Sequence, residues 1–418
     1  MGNGKMNQEK EHLKLVIVGH IDHGKSTLIG RLFYDTDSLP EDKMEDIKQT
    51  CEALGRELEF GFIMDHLEEE REQGITIDTA QTFFNTDKRE YIIIDAPGHV
   101  EFIKNMITGA SQAEAAILIV DAEEGIKEQT KRHSYVLSML GLKQIIAVVN
   151  KMDLVDYKQE RFEEIKKDLL NFLQDLDIKP NYVIPITAKQ GDNIVKLSEN
   201  MKWYNGVTIL ESLDSFKPKP SICDSPLRLP IQDIYKVGDK RINAGRIESG
   251  RIKKDDTIVI LPENKITKVK SVEKYMEDIS EAKAGESTGI ITEDALFLDR
   301  GMVICHQDNK PRVTDTIETN IFWISKQPFD ISKPITIKIA TQEVKCTVEK
   351  MIKKINSSTL ETIEGDSNIL NELEVGSIIL KTEKPVVIDD FNSVPGIGRF
   401  VLEEDQNICA GGIITKIK

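Results

Sequence analysis

The first half of the chain alternates between short apolar runs and longer amphipathic stretches. Apolar runs occupy residues 13–18, 91–94, 145–149 and 182–186. The strands of a parallel sheet are buried on both faces, so they read as continuous apolar runs. Helix-period segments lie at 27–33, 101–113, 127–140 and 159–176. Residues 13 to about 214 therefore predict an α/β domain with a doubly wound, mostly parallel sheet.

The second half of the chain is rich in short β-type runs. A proline-rich segment at 217–226 comes first and marks a linker, because prolines exclude the continuation of a helix. Five β-rich runs follow between 227 and 291, and a second series extends from 319 to 417. Short strands at this spacing predict two small β-barrels, separated by a polar connector at 305–316. The predicted domains are residues 1–216, 226–308 and 316–418.

Composition narrows the class of protein. The 418 residues carry a net charge of −16, which argues mildly against a broad nucleic-acid-binding surface. There is no apolar run of membrane-spanning length and no apolar signal core at the start, so we expect a cytoplasmic protein. The five cysteines are dispersed and without a Cys-x-x-Cys pair, which predicts reduced thiols and no zinc site.

Residues 19–26 fit the phosphate-loop pattern G-x-x-x-x-G-K-[ST]. They are Gly19, His20, Ile21, Asp22, His23, Gly24, Lys25 and Ser26. The pattern stands between a predicted strand and a predicted helix that opens at Thr27, which is the context that makes it a site. Its glycines let backbone N–H groups surround a phosphate, and the helix N-terminus adds positive potential. We expect Lys25 to reach the terminal phosphates of a nucleotide bound by residues 19–27.

The base of that nucleotide is predicted to be guanine. Asn150, Lys151, Met152 and Asp153 directly follow a predicted strand, and ligands of doubly wound folds bind at the carboxyl ends of strands. The Asp153 carboxylate can accept from guanine N1–H and N2–H₂ together, whereas adenine offers no matching donors. We expect Asn150 to tie this loop to the phosphate loop and the stem of Lys151 to lie over the base.

A second loop is predicted to complete the guanine pocket. Thr187, Ala188 and Lys189 follow the apolar run at 182–186. The backbone N–H of Ala188 is predicted to meet guanine O6. The predicted cofactor is therefore GTP.

A predicted sensor of the γ-phosphate follows the apolar run at 91–94. It comprises Asp95, Ala96, Pro97, Gly98 and His99. The Gly98 N–H is expected to contact the γ-phosphate. His99 is the candidate catalytic residue, positioning the attacking water as Gln does in another GTPase.

Mg²⁺ is the second predicted cofactor. Its ligand set joins the Ser26 hydroxyl, the Thr76 hydroxyl and, through water, Asp95. Loops held in this way become ordered with a bound triphosphate and relax after hydrolysis.

These motifs in their order, the long insertion between Gly30 and Thr76, and the two barrels resemble the translation-factor class of GTPases. Residues 70–78 and 105–110 are typical of that class. Two subfamilies compete within it: elongation factor Tu with its archaeal–eukaryotic relative, and the GTPase large subunit of bacterial sulfate adenylyltransferase. Residues 129–134, 150–157, 191–194 with 203–206, and 299–301 followed by 320–323 resemble the sulfate subunit more closely.

The resemblance to the sulfate subunit implies an energy-coupling GTPase. Hydrolysis of GTP would drive formation of adenylyl sulfate and pyrophosphate from ATP and sulfate. The partner would be the smaller, catalytic ATP sulfurylase subunit, which would carry the adenylyl-transfer residues. On this interpretation the chain binds neither nucleic acid nor membrane.

The other subfamily implies a carrier that delivers aminoacyl-tRNA to the ribosome. Residues 22–25, 95–99 and 398–400 are nearer to such factors. A carrier needs an aminoacyl pocket on the first barrel and a basic track for RNA, whereas the acidic total favours an ordinary solvated barrel surface. Candidates for the track are Arg241, Arg246, Arg251, Lys253 and Lys254.

Overall fold

The chain folds into two compact units, Met1–Pro218 and Lys219–Lys418. The computed structural model describes residues 12–38, 80–86, 88–95, 106, 110, 113–217, 222–238, 240–274, 277–364 and 368–416. The predicted helix at 101–113 therefore lies outside the described residues, except for three of its positions.

A six-stranded sheet forms the centre of the first unit. Its strands are β1 (His12–Gly19), β2 (Ala80–Asn85), β3 (Glu90–Asp95), β4 (Ala115–Asp121), β5 (Gln144–Asn150) and β6 (Tyr182–Pro185). Their order is β2-β3-β1-β4-β5-β6. β2 runs antiparallel to β3, and the other neighbours pair in parallel. The predicted mostly parallel sheet is thus confirmed.

Burial explains why these strands read as apolar runs. All seven residues of β4 are buried, as are six of the seven residues of β5. A strand covered on both faces has no polar face to keep, so its sequence does not alternate. The core of this unit unites Leu15, Ile17, Ile117 and Val148 of the sheet with Leu28 of the first helix.

Four helices are described in the first unit. They are α1 (Lys25–Asp35), α2 (Glu128–Met139), α3 (Gln159–Asp175) and α4 (Ile209–Asp214). On α3 the buried residues Phe162, Ile165, Leu169 and Leu173 recur three or four positions apart, so they share one face and pack inward. Helix α4 begins after Thr208, whose side chain accepts from the N–H of Glu211 in a reciprocal capping box.

The first half of the second unit is a small β-barrel. Its strands are β7 (Leu229–Val237), β8 (Lys240–Arg246), β9 (Arg251–Lys253), β10 (Thr257–Leu261), β11 (Lys265–Lys274), β12 (Glu277–Ile279), β13 (Glu281–Lys283), β14 (Ser287–Thr292) and β15 (Val303–His306). β10 pairs with both β15 and β11, which closes the ring β10-β15-β7-β8-β14-β11. Ile231, Ile258, Val272, Ile290 and Ile304 fill its interior.

A second closed barrel follows. Its elements are β16 (Arg312–Trp323), β17 (Phe329–Asp330), β18 (Ile335–Ile339), β19 (Gln342–Asn356), β20 (Ile369–Leu370), β21 (Glu374–Ile388), a helical turn α5 (Pro395–Gly398), β22 (Arg399–Glu404) and β23 (Asn407–Lys416). The barrel order is β16-β21-β19-β18-β22-β23. Trp323, stacked on Phe329 at 4.8 Å, belongs to its core. The predicted fold class, an α/β domain followed by two barrels, is confirmed.

The connector between the barrels is shorter than predicted. Cys305 lies within β15, and β16 begins at Arg312, so residues 307–311 alone join the two strands. The first three residues of β16 pair with Val386, Val387 and Ile388 of β21. Their side chains are exposed or half-buried, so this part of the strand keeps a polar sequence that resembles a loop.

The β series predicted at 319–417 includes an apolar run at 397–402, whose strand also starts later than expected. The helical turn α5 occupies its first two positions, and the strand begins at Arg399. Pro395 stands at the start of that turn, where its fixed φ favours a helical conformation.

The two barrels pack against each other through an apolar cluster and a buried ion pair. Val259, Leu261, Val303 and Cys305 of the first barrel surround Val387 of the second. Beside them, the Arg228 side chain is 2% exposed and donates to the Asp389 carboxylate from Nε and from Nη2. Its Nη1 donates to the carbonyls of Leu227 at 2.9 Å and of Asn309 at 2.8 Å.

Among the described residues, none of the helices combines the length and the apolar character that crossing a membrane requires.

Replacing Arg228 by Ala should destabilise the second unit by about 3 kcal/mol, because it leaves the Asp389 carboxylate largely buried and without its cation. The free energy of unfolding would be measured by urea titration in a Trp203→Phe background, where Trp323 alone reports. The matched control is Arg251→Ala. Arg251 is 51% exposed and pairs with exposed Asp224, so its loss should cost less than about 0.5 kcal/mol. Equal effects of the two substitutions would contradict a stabilising role for the Arg228–Asp389 pair.

Candidate functional site

The carboxyl ends of four adjacent strands converge at one edge of the first sheet. β1 ends at Gly19, β3 at Asp95, β4 at Asp121 and β5 at Asn150. Asp121 and Asn150 are direct register partners. Ligands of open α/β sheets bind outside this edge, so the predicted nucleotide-binding residues on these strands share a single location.

The phosphate loop connects β1 to α1 through two left-handed residues. Asp22 has φ 60° and Gly24 has φ 90°. Among the described residues no side chain caps α1, which leaves first-turn N–H groups, including those of Ser26 and Thr27, for a ligand. A Cβ on Gly24 would come within 2.4 Å of Asn150 Nδ2, so both backbone conformation and space require glycine there.

Lys25 is folded into this loop. It is 7% exposed, and its Nζ donates to the carbonyls of His20 at 2.8 Å and of Gly19 at 3.2 Å. Burial lowers the pKa of Lys25 to about 8, although the negative charges of Asp95 and Asp22 oppose the shift. An ammonium group held against loop carbonyls in this way can bind phosphate oxygens without leaving the loop.

His23, a member of the loop, is buried and hydrogen-bonded to β4. It is 1% exposed, and its Nδ1 accepts from the backbone N–H of Asp121 at 3.2 Å. Burial is the largest cause that lowers the pKa of His23 to about 4, so the ring is neutral at pH 7. His133 of α2, also 1% exposed, has its pKa lowered to about 3 by burial and by nearby Lys25. These neutral rings pack the back of the loop.

Asn150 joins the phosphate loop to the loop after β6. Its Nδ2 donates to the His23 carbonyl at 2.9 Å, and its Oδ1 accepts from the Ala188 N–H at 2.9 Å. Asn150 is 2% exposed. Two different loops therefore satisfy the two polar atoms of this buried amide. The contact with the phosphate loop is the one that the sequence predicts.

The Ala188 N–H has a protein partner in this structure, because it donates to Asn150. Its predicted contact with guanine O6 stays a prediction. The neighbouring Lys189 is exposed, and its carbonyl accepts from Arg31 Nη1 at 3.2 Å. Thr187 is buried and its carbonyl accepts from the Gly191 N–H, which closes the loop.

The base-reading loop turns sharply after β5. Lys151 has φ 62°, and a 3₁₀ turn follows at Met152–Val155. Met152 is fully buried and its N–H donates to the Ile186 carbonyl at 3.2 Å, while Asp153 next to it stays half-buried. The buried Met152 therefore anchors the turn, and the carboxylate beside it remains accessible to a base.

Two of the three predicted Mg²⁺ ligands are described. Ser26 is half-buried in the first turn of α1, and Asp95 is 1% exposed at the end of β3. A hydroxyl and a carboxylate are hard oxygen donors of the kind that Mg²⁺ binds. Within the described parts of the chain there is no group of three His, Cys, Asp or Glu that could hold a metal by itself.

Thr76, Ala96, Pro97, Gly98 and His99 lie outside the described residues. Their predicted contacts with the γ-phosphate, the metal and the attacking water stay predictions.

Sequence reasoning missed three side chains around the base-reading loop. Asp121 pairs with Lys151, their Oδ2 and Nζ 2.8 Å apart. Arg161 of α3 donates to the carbonyls of Ala122 and Glu123 at 2.9 Å each. Trp203 Nε1 donates to the Tyr157 carbonyl at 2.8 Å. Of these three residues, only Asp121 could have been found from the sequence, because it follows an apolar run as Asp95 and Asn150 do.

Similarity to known proteins extends over 99% of the chain. The family described as "Elongation factor Tu GTP binding domain" matches residues 10–218, "Elongation factor Tu domain 2" matches 241–305, and "GTP-eEF1A C-terminal domain-like" matches 316–415. The chain is similar to "Elongation factor 1-alpha" of Methanopyrus kandleri, with 41% identity, and of Pyrococcus woesei, with 38%; each alignment covers 99% of both chains. The first unit is thereby a GTP-binding domain.

A solved structure of sup35 complexed with GDP is 23% identical and covers 100% of this chain and 97% of that one. Its TM-score of 0.46 is too low to support an argument.

The predicted assignment to the sulfate adenylyltransferase GTPase subunit is wrong, and with it the predicted activity and the ATP sulfurylase partner. The full-length relatives are elongation factors. Those passages that lie within the GTP-binding domain support its fold. Thr130 and Ser134 are buried on α2, Asn193 Nδ2 donates to the Pro185 carbonyl, and Trp203 holds Tyr157.

Such packing contacts serve any protein with this domain, so they do not report which partner the domain serves. Similarity across both barrels as well as the GTP-binding domain does discriminate, and it extends over 99% of this chain and of its relatives. The chain belongs to the elongation factor 1-alpha family.

Proposed function

We propose that this chain binds aminoacyl-tRNA in its GTP-bound form and delivers it to the ribosome. The observation that carries the proposal is full-length similarity, at 41% identity, to a protein named elongation factor 1-alpha. Hydrolysis of GTP then releases the carrier from its cargo, because loops held by the γ-phosphate relax when it is lost. The prediction that the chain binds no nucleic acid is corrected together with the sulfate-subunit assignment on which it rested. Net charge sums over all faces of the molecule and hides local basic surfaces.

The nucleotide site follows the motif roles. The loop at 19–27 takes the phosphates, with Lys25 on the terminal ones, and Asp153 reads guanine, with Lys151 over the base. Ser26, Asp95 and Thr76 would hold Mg²⁺, which when bound neutralises charge on the phosphates. His99 orients the attacking water. Burial keeps the rings of His23 and His133 neutral, so they add no charge beside Lys25.

A cavity on the first barrel suits the aminoacyl end of the tRNA. Its volume is about 270 Å³, and its lining includes Gln232, Asp233, Tyr235 and Glu273. An aminoacyl ester carries a free α-ammonium group, which a carboxylate such as that of Asp233 can bind. Tyr235, 52% exposed, offers an aromatic face.

The cations named as a candidate RNA track are all exposed. Arg241 and Arg246 lie on β8, Arg251 and Lys253 on β9, and Lys254 directly after it. Phosphate contacts of exposed Lys and Arg side chains supply sequence-independent affinity for RNA. Arg241 also lies over the ring of Phe297, with 5.0 Å between Cζ and the ring centroid.

The domain limits 1–216, 226–308 and 316–418 and the cytoplasmic location stay predictions. The matched spans at 10–218, 241–305 and 316–415 support the limits.

Replacing Asp153 by Asn should weaken GTP binding by at least about 100-fold, because charge-assisted hydrogen bonds to guanine are lost. Affinity for xanthosine triphosphate should rise, since the new amide donates where xanthine presents a carbonyl. Both affinities would be measured by calorimetry. The matched control is Asp156→Asn, the same change three residues away on an 80% exposed side chain, which should alter neither. An unchanged base preference in Asp153→Asn would refute the base-reading role.

The carrier function is tested by protection of the aminoacyl ester. With GTP, the chain should slow spontaneous deacylation of aminoacyl-tRNA several-fold, because a bound ester is shielded from water; with GDP it should not. The control uses Asp153→Asn, which should protect with xanthosine triphosphate but not with GTP. Equal deacylation rates with and without the protein in GTP would contradict the proposal.

A further inference from the structure

A tight turn at the end of β4 contacts the phosphate loop and the base-reading loop of the nucleotide site. It begins at Asp121, and the Gly125 N–H donates to the Asp121 carbonyl at 2.9 Å. Gly125 adopts φ 72°. The turn therefore has a defined geometry. It starts at Asp121, which is the register partner of Asn150 on β5.

The side chain of Asp121 has a full set of donors. Its Oδ1 accepts from the N–H of Glu123 at 2.7 Å and of Glu124 at 3.2 Å, and its Oδ2 pairs with Lys151 Nζ at 2.8 Å. The side chain is 2% exposed. Burial raises the pKa of Asp121, but the hydrogen bonds from Lys151 and from those backbone N–H groups outweigh it and hold the pKa below its usual range.

The turn is fixed from two further sides. Arg161 of α3 donates to the carbonyls of Ala122 and Glu123, and the Asp121 N–H donates to His23 of the phosphate loop. The Ala122 N–H donates to the Asn150 carbonyl at 2.8 Å. The carboxylate thus belongs to a rigid frame and cannot follow Lys151 if that side chain moves.

Lys151 is the more exposed member of the pair. Its side chain is 33% exposed, it leaves the backbone at φ 62°, and a free lysine stem has many rotamers. Anchoring its ammonium at Asp121 removes most of that freedom. The four-carbon stem is then held across the edge of the sheet between Asp121 and the loop that carries Asp153.

We propose that Asp121 is a positioning residue for guanine recognition, acting through Lys151. The fixed stem presents a preorganised apolar surface to one face of the base, so binding does not have to order it. This inference rests on the proposed guanine site. It adds to that site a buried carboxylate that touches neither base nor phosphate and sets affinity through its neighbour.

The substitution that isolates this role is Asp121→Asn. An Asn oxygen still accepts from Glu123 and Glu124, so the turn keeps its cap, but the charge that holds Lys151 is gone. We expect about tenfold weaker binding of GDP and of GTP alike, since the base and not the γ-phosphate is affected. Binding of inorganic pyrophosphate, measured by competition, should stay unchanged because it occupies the phosphate loop alone.

A double-mutant cycle with Lys151→Gln separates positioning from folding. If Asp121 acts through Lys151, Asp121→Asn should cause no further loss once Lys151 is Gln. Lys151→Gln alone changes a partly exposed side chain, so it tests the pair even if Asp121→Asn fails to fold. This single substitution should weaken GDP binding by at least tenfold. The control Glu128→Gln changes a 64% exposed side chain that pairs with Arg132, and it should leave every affinity unchanged.

The possible outcomes distinguish failure of the positioning role of Asp121 from failure of the proposed function. Full GDP affinity in Asp121→Asn or in Lys151→Gln, an equal loss of pyrophosphate, or additive losses in the cycle would each overturn the positioning role. If instead the unmodified chain binds no guanine nucleotide, the proposed function itself fails.

Discussion

One buried amide determines the geometry of the nucleotide site. Asn150 donates to the His23 carbonyl and accepts from the Ala188 N–H, so it fixes the phosphate loop and the loop after β6 relative to the end of β5. The contact leaves no room for a Cβ at Gly24, which is why that loop position has to be glycine. Without this link, three loops from three strands would each have to find their place independently, at the cost of ordering them when nucleotide binds.

Much of the fold could be predicted because strong physical signals coincide with it. Fully buried parallel strands such as β4 and β5 leave uninterrupted apolar runs, and an amphipathic helix such as α3 leaves a regular stripe. The signals fail where a strand is not buried. The first residues of β16 are exposed and polar, so a paired strand looked like a connector, and the turn at Pro395–Gly398 interrupted an apolar run.

The place of the candidate site could be predicted for a similar reason, and the partner could not. The chemistry of the ligand dictates a phosphate loop and a guanine-reading carboxylate, so spacing alone predicts these roles for Lys25 and Asp153. Asp121 acts on another side chain, and only its place after an apolar run distinguished it. Short passages such as Trp203 with its neighbours contribute to the packing of the domain and carry no information on partners. Resemblance in these passages alone therefore indicated the wrong subfamily. The similarity that identifies the family extends over both barrels, where the sequence shows short β-rich runs and no motif.

The most direct test of this account is the GDP affinity of Asn150→Asp. The new carboxylate can still accept from Ala188, but it presents an oxygen to the His23 carbonyl where the amide donated at 2.9 Å. Repulsion should separate the two loops and weaken GDP binding by about 100-fold or more, measured by calorimetry. Asn181→Asp, the same change on an amide whose oxygen accepts from the Ile145 N–H away from the site, should leave the affinity intact. Affinity within about twofold of the unmodified chain in Asn150→Asp would contradict the claim that this amide holds the site together.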